Sequence, residues 1–212
     1  MKMTKRTEIR EMTLNDIEEA AHISIDTFED YYVIASKMGK GNLERTFFPS
    51  IVNSPFSGAF AIFKDNEMYG YICYITDFKR YNQESSLRTL ILNLIYTLSA
   101  VLKLRITIKD LYNVFMGLRW IKQQAVGISA TVGPLAVSTE IKGTQEGGMG
   151  AWLLMRAVFD QLSSQGIDKV WATVDTRNYA SLKFGESMGF KEQSTIQLWG
   201  MTDIFRVKDL RE

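Results

Sequence analysis

The chain has 212 residues, 46% of them hydrophobic, enough to close one domain around a core. Lys and Arg number 25 against 24 Asp and Glu, a net charge of +1, so no global basic surface points to nucleic acid. A single cysteine, Cys73, excludes an internal disulfide and suggests a reducing, cytoplasmic setting, and with one histidine the usual zinc ligand sets are excluded too. Residues 1–10 are charged and lack the apolar core of a secretory signal.

In chain order, residues 7–10 read as a first strand. Thr13 and Asp16 have capping-box spacing, with Met12 and Ile17 as the accompanying staple. The helix they open is expected to run to about Phe28, with Ile17, Ala20, Ala21, Ser24 and Phe28 inward. His22 falls beside Glu18 and Asp26 on the solvated face, and Asp26, Glu29 and Asp30 gather at the end. Gly39, Gly41 and Pro49 are expected to break the next stretch, leaving a short helix over 43–48. Residues 59–63 and 68–75, rich in aromatic and β-branched side chains, predict a hairpin around Lys64-Asp65-Asn66-Glu67.

Residues 81–124 are the least ordinary part. Leu87, Leu90, Ile91, Leu94, Ile95, Leu98, Val101 and Leu102 follow helical spacing, and no charge falls between Thr89 and Leu102. The run is too short for a transmembrane span, which needs about 20 apolar residues. Thr107 and Asp110 look like a second capping box, and Leu111, Tyr112, Phe115, Leu118 and Ile121 continue as another helix. The apolar faces predict packing on the same domain, a homodimer contact, or a wall for a greasy acceptor. Residues 126–137 predict a fourth strand, kinked at Gly133-Pro134. No repeat or interdomain linker is visible, so residues 1–212 read as one domain.

The stretch that follows carries the chemistry. A polar loop leads into Gln145-Glu146-Gly147-Gly148-Met149-Gly150-Ala151, and Leu153, Leu154, Ala157 and Val158 then form an apolar helical stripe. Glycines at a helix start let backbone approach a ligand, and the unpaired N–H groups there favour an anion such as a diphosphate. A P-loop would need Lys-Ser/Thr after its last Gly, where Met149 follows Gly148. The dinucleotide fingerprint needs a small residue where Leu153 stands. Downstream, residues 169–174 form a β-rich run, followed by Asn178, Ser181, Phe184, Gly189 and Phe190. Residues 192–201 and 204–207 can supply two last strands.

On these residues the chain resembles the GNAT superfamily of acyl-CoA-dependent N-acetyltransferases. Gln145, Gly148, Gly150, Leu153 and Leu154 fall on that family's pyrophosphate pattern, Gln/Arg-x-x-Gly-x-Gly/Ala followed by Leu-Leu. Asn178, Ser181, Phe184, Gly189 and Phe190 fall on its second motif, where the usual Tyr is replaced by Gly185. The likeness is good over residues 134–190 and loose elsewhere.

The resemblance implies an α/β (α+β) fold with a mixed, mostly antiparallel sheet flanked by helices, the helical run becoming an insertion between the third and fourth strands. It implies transfer of an acetyl or other acyl group from acetyl-CoA to a primary amine of a small molecule or peptide. Residues 145–151 would hold the pyrophosphate, Val137, Ser138 and Thr139 would flank the pantetheine, and Asn178, Ser181 and Phe184 would line the cofactor. The backbone around Val137 would stabilise the oxyanion. Asp77 and Glu140 are the candidate bases, with a water relay as the alternative. Gly185 leaves the leaving thiolate without its usual acid, which also admits a catalytically inactive CoA-binding regulatory module.

Overall fold

The computed structural model describes residues 7–28, 37–84, 87–103 and 105–212, and of residues 87, 88 and 90 the backbone alone. Glu29 and Asp30, expected near the acceptor, lie outside the described residues. In order come β1 (Thr7–Glu11), α1 (Ile17–Phe28), β2 (Ser57–Lys64), β3 (Glu67–Ile75), β4 (Ala130–Val137), β5 (Lys169–Asp175), β6 (Lys191–Leu198) and β7 (Met201–Asp209). They form one seven-stranded sheet in the order β1-β2-β3-β4-β5-β7-β6. Every pairing is antiparallel except β4 with β5. That parallel pair is joined by α6 (Gln145–Ser164), as a helical crossover requires.

Local chemistry sets the early elements. The β2–β3 hairpin closes on Asp65 and Asn66, whose φ values of 53° and 72° are left-handed and suit short polar side chains. Asp16 fixes the entry to α1. Its carboxylate accepts from the Thr13 N–H at 2.7 Å and from both terminal nitrogens of Arg10 at 2.8 Å. The helical stretch after α1 is longer than expected. We label it α2, in three consecutive pieces: Lys40–Asn42, a π-helical Leu43–Phe47, and Phe48–Asn53. Pro49 does not break it. It stands in the first turn of the last piece, where its missing N–H costs little.

α1 and α2 cover one face of the sheet, burying Ala20, Ala21, Leu43 and Phe48 against Tyr71 and Cys73. α6 covers the other face with Leu154, Val158 and Leu162, all at 0% exposure, against Ile62, Ile72 and Val170. Full burial of each such side chain contributes roughly 1.5–3 kcal/mol. The central strand β3 is apolar on both faces because both are covered.

Between β3 and β4 lie α3 (Phe78–Gln83), α4 (Leu87–Leu102) and α5 (Ile108–Gln124). The expected capping box opens α5: Asp110 accepts from the Thr107 N–H at 2.7 Å, and Thr107 Oγ1 accepts from the Asp110 N–H at 3.2 Å. α5 packs on its own sheet. Trp120 joins Trp171 and Phe205 in a third cluster, and Asn113 exchanges two hydrogen bonds with Trp199 in the β6–β7 turn. α4 sits on α2, where Asn42 Nδ2 donates to Asn93 Oδ1 at 3.0 Å.

Two expectations fail nearby. The fourth strand begins at Ala130, because residues 125–128 turn instead, with Gly127 at φ 81°. The last hairpin turns at Trp199-Gly200, with Gly200 at φ 79°, so residues 202 and 203 lie inside β7.

Candidate functional site

β4 and β5 pair only at Ala130–Val170 and Thr131–Trp171 and then separate. β4 runs on to Val137 with no strand paired to it on that edge among the described residues. Its bulge falls at Gly133-Pro134, as expected from the sequence. Ile72 pairs with Leu135 and Tyr74 with Val132, so two residues of β4 oppose one of β3. Gly133 has φ 121°, which only glycine adopts without strain.

The separation opens a cavity of about 530 Å³ that passes through the sheet. On the α6 side it is lined by Met155 and by Asn178, Ser181, Phe184 and Gly185. The last four belong to the N-cap and body of α7 (Tyr179–Ser187). On the insertion side it is lined by Phe78 and by Val114, Gly117, Leu118 and Ile121 of α5. Among the described residues, two buried side-chain donors lack a partner: Trp171 Nε1 and Arg206 Nε. Both residues line this cavity. A buried donor left unmatched costs about 1–3 kcal/mol.

The glycine run stands at the start of α6, which begins at Gln145, so the glycines occupy its first turns and not a preceding loop. Thr144 is the N-cap and accepts from the Gly147 N–H at 3.1 Å. The three glycines differ in need. A Cβ at Gly147 would run into the Ile141 carbonyl oxygen, and one at Gly150 would come within 3.1 Å of Tyr69. A Cβ at Gly148 would meet nothing within 4 Å. Gln145, Glu146 and Met149 are exposed, Ala151 is half-buried, and Glu146 is ion-paired with Lys64. Val137 and Ser138 are half-buried and Thr139 is exposed. The Val137 carbonyl accepts from Thr27 Oγ1 at 3.0 Å, and Ser138 N–H donates to Tyr69 O at 2.8 Å.

Asn178 caps α7, its side chain accepting from the Ser181 N–H at 3.1 Å. Where the resemblance called for a Tyr, the space beside Gly185 is taken by Arg206. A Cβ at Gly185 would stand 3.0 Å from Arg206 Nη1. Arg206 is 4% exposed. Its Nη1 donates to Leu182 O at 2.8 Å and its Nη2 to Glu186 at 2.9 Å. Tyr179 points outward at 63% exposure, with Lys183 over its ring.

The two acids singled out in the sequence are not brought together. Asp77 caps α3, accepting from the Arg80 N–H at 3.0 Å, next to Ser129 at the start of β4. Glu140 is exposed beyond the far end of β4, about 23 Å away at ~3.3 Å per strand residue. Neither lines the cavity.

A different pair does. Asp175 of β5 and Asp203 of β7 are cross-strand partners and both line the cavity. They share the sheet face of Trp171 and Phe205, the face covered by α5. Burial raises the Asp175 carboxyl, but hydrogen bonds from Arg177 outweigh this and hold it below the usual range. Burial, then the neighbouring Asp175 charge, push Asp203 up to about 6. The sequence reading missed Asp203 because it put the last turn at 202–203, and Asp175 because it ended the preceding strand at residue 174. A polar residue breaking the alternation of an otherwise half-buried strand was the available signal.

No protein-family model and no curated protein matches the sequence. Solved structures do match. The ribosomal-protein-S18-alanine N-acetyltransferase from Escherichia coli superposes with a TM-score of 0.58 at 14% identity, over 97% of this chain and 94% of that one. FeeM, an N-acyl amino acid synthase from uncultured soil microbes, gives 0.59 at 17% identity over 100% and 94%. The PaiA N-acetyltransferase from Thermoplasma acidophilum, in complex with coenzyme A, gives 0.58 at 15% identity over 96% and 99%. The chain therefore has the GNAT fold, with its mixed, mostly antiparallel sheet flanked by helices. No helix of the described residues is long and apolar enough to cross a membrane.

Proposed function

We propose that this chain is a GNAT-type N-acyltransferase that moves an acyl group from acyl-CoA to the primary amine of a small molecule or peptide in the cytoplasm. The observation that carries this reading is the cavity through the β4–β5 separation. It is lined on one face by Asn178, Ser181 and Phe184 and on the other by a half-buried carboxylate pair, Asp175 and Asp203. Acyl-CoA supplies an activated thioester carbonyl. The N-terminus of α6, over residues 145–151, is suited to its pyrophosphate, and the open space at Gly148 leaves room for it. In this reading Val137, Ser138 and Thr139 flank the pantetheine from outside the cavity, whose lining includes Asn178, Ser181 and Phe184 but none of residues 137–139 or 145–151.

The amine nitrogen bonds to the acyl carbon and the carbon–sulfur bond breaks, leaving thiolate. The ammonium of the acceptor must first lose a proton, against a pKa near 10.4. Asp203, ionised above about 6 and facing the cavity, is the base we assign in preference to Asp77 or Glu140. The unpaired β4 edge up to Val137 offers backbone N–H groups to the oxyanion, with Pro134 excluded because it has none. Arg206 places a fixed positive charge where the family's acid would stand. A thiol with a pKa near 8.5 leaves readily as thiolate beside such a charge and takes its proton from water. The paired acids favour a cationic acceptor.

The test is thiol release from acetyl-CoA across a panel of amines, amino acids, amino sugars, polyamines and peptides. Turnover with at least one acceptor is expected. CoA binding with no release above the hydrolysis blank would favour the regulatory module, for which Gly185 is the supporting observation.

The insertion also bears on assembly. Ile91, Leu94, Ile95 and Leu98 of α4 are each about half exposed, more apolar surface than a solvated helix needs. A homodimer through this face predicts a mass by light scattering that doubles with rising concentration. A concentration-independent monomer rejects it and leaves the packing role.

A further inference from the structure

α4 and α5 turn polar side chains inward and apolar ones outward. On α4, Asn93 Oδ1 accepts from Asn42 Nδ2 at 3.0 Å and Thr97 Oγ1 donates to Met38 Sδ at 3.5 Å, so both face the protein. Ile91, Leu94, Ile95, Leu98 and Leu102 form a single helical stripe on the other side, and each is at least 49% exposed. α5 repeats the arrangement. Asp110 and Asn113 are buried, while Ile108, Leu111, Tyr112 and Phe115 are exposed along one stripe. A helix packed on its own domain normally does the reverse, so these stripes are shaped to meet something outside the domain.

The charge of the segment points to what that is. Residues 87–124 hold six of the 25 Lys and Arg but one of the 24 Asp and Glu, a net charge of +5 that leaves −4 for the rest of the chain. The one acid, Asp110, is buried in the cap of α5. Lys103 and Arg105 are exposed in the link between the helices. They stand between Leu102 and Ile108, which at 84% and 83% are the most exposed large hydrophobics among the described residues. Arg119 and Lys122, also exposed, follow Phe115 and Leu118 by four residues and so continue the α5 stripe.

We infer that the insertion docks on an anionic lipid surface, its apolar stripes entering the headgroup boundary and its Lys and Arg meeting the anionic headgroups. Buried apolar area and attraction to anionic lipid add together in such binding, and an exposed acid on the same face would oppose it. α4, with 16 residues, is too short to cross a bilayer, so it would lie along the surface. The acidic remainder of the chain is repelled by the same surface, which turns the insertion toward it. A second copy fits this face less well, because a symmetric contact would set two segments of charge +5 against each other. The inference does not depend on the acyltransferase reading.

The experiment is co-sedimentation of the protein with vesicles of phosphatidylcholine alone, or of phosphatidylcholine with one-third phosphatidylglycerol, at low and high salt. Binding to the anionic vesicles is expected to be at least about a hundredfold tighter than to the neutral ones, and to weaken as salt rises. Leu94→Gln with Leu98→Gln alters only exposed positions, and should weaken binding at least about tenfold at an unchanged melting temperature. Lys103→Gln with Arg105→Gln should weaken binding to anionic vesicles about thirtyfold and leave neutral vesicles as they were. No binding to either vesicle would overturn the inference. Equal, salt-insensitive binding to both would overturn it too, as plain adhesion of an apolar face. A protein that ignores vesicles but doubles in mass by light scattering, and loses that doubling in Leu94→Gln with Leu98→Gln, would give the face to a second copy.

Discussion

Gly148→Glu is expected to give a folded protein that no longer binds acyl-CoA. The position is exposed and a Cβ there meets nothing within 4 Å, so the substitution creates no clash in the unliganded chain. The new carboxylate would instead occupy the first turn of a 20-residue helix, where backbone N–H groups and the helix dipole favour a negative ligand. It would satisfy that site from within and repel a diphosphate through like charge, on top of Glu146 already in the same turn. A loss of at least about a hundredfold in affinity is expected, roughly 2.7 kcal/mol. The neighbouring glycine is a poor choice for this test. Any side chain at Gly147 collides with the Ile141 carbonyl, so failure there would report a displaced loop. Titration of Gly148→Glu with acetyl-CoA decides the matter, provided its melting temperature stays near that of the parent. Unchanged affinity would remove the α6 N-terminus from the cofactor site.

What could be read in the sequence was what short-range chemistry determines. Asp65-Asn66 specified a tight hairpin, Thr107 with Asp110 specified a helix start, and Asn178 specified a cap; each lies within a few residues of its partner. The parallel pairing of β4 with β5 follows from the helix that joins them through the crossover rule, whereas the insertion of β7 between β5 and β6 has no local signal. The candidate site was legible only on its cofactor side, where the glycine run is contiguous. Its acceptor side depends on register between distant strands. Asp175 meets Asp203 only because β5 pairs with β7, and Arg206 meets Gly185 only because α7 lies over that pair. A missing Tyr can be seen in one line of sequence; the guanidinium that fills its place cannot. Trp199 misled in a second way. An aromatic residue reads as strand, yet here it occupies a turn held by Asn113 from the insertion. That displaced the predicted turn onto Asp203 and hid the acid as a loop residue.

The largest kinetic effect is therefore expected at Asp203, with a pH signature that a structural role would not produce. If Asp203 takes the acceptor's proton, Asp203→Asn should lower kcat by a factor of about 10² to 10³. In the parent, kcat should rise as the pH passes through about 6, where the buried carboxyl ionises. The variant should lose that rise. Removing the Asp175 charge takes away the second cause of the upward shift, so Asp175→Asn should move the rise to lower pH. Stability should change in the opposite sense to activity. A carboxyl whose folded pKa lies above its unfolded value, near 3.9, binds its proton more tightly when folded. The stability this brings is fully present below pH 3.9 and is lost as pH rises through about 6. At pH 8 the buried charge is then a burden that asparagine removes. Asp203→Asn should raise the melting temperature by a few degrees at pH 8, for about 1–2 kcal/mol, with no such gain at pH 4. A position important only for packing would lose stability and turnover together. Asp203→Asn with kcat within twofold of the parent and the same rise near pH 6 would sink the assignment and leave a water-relayed base.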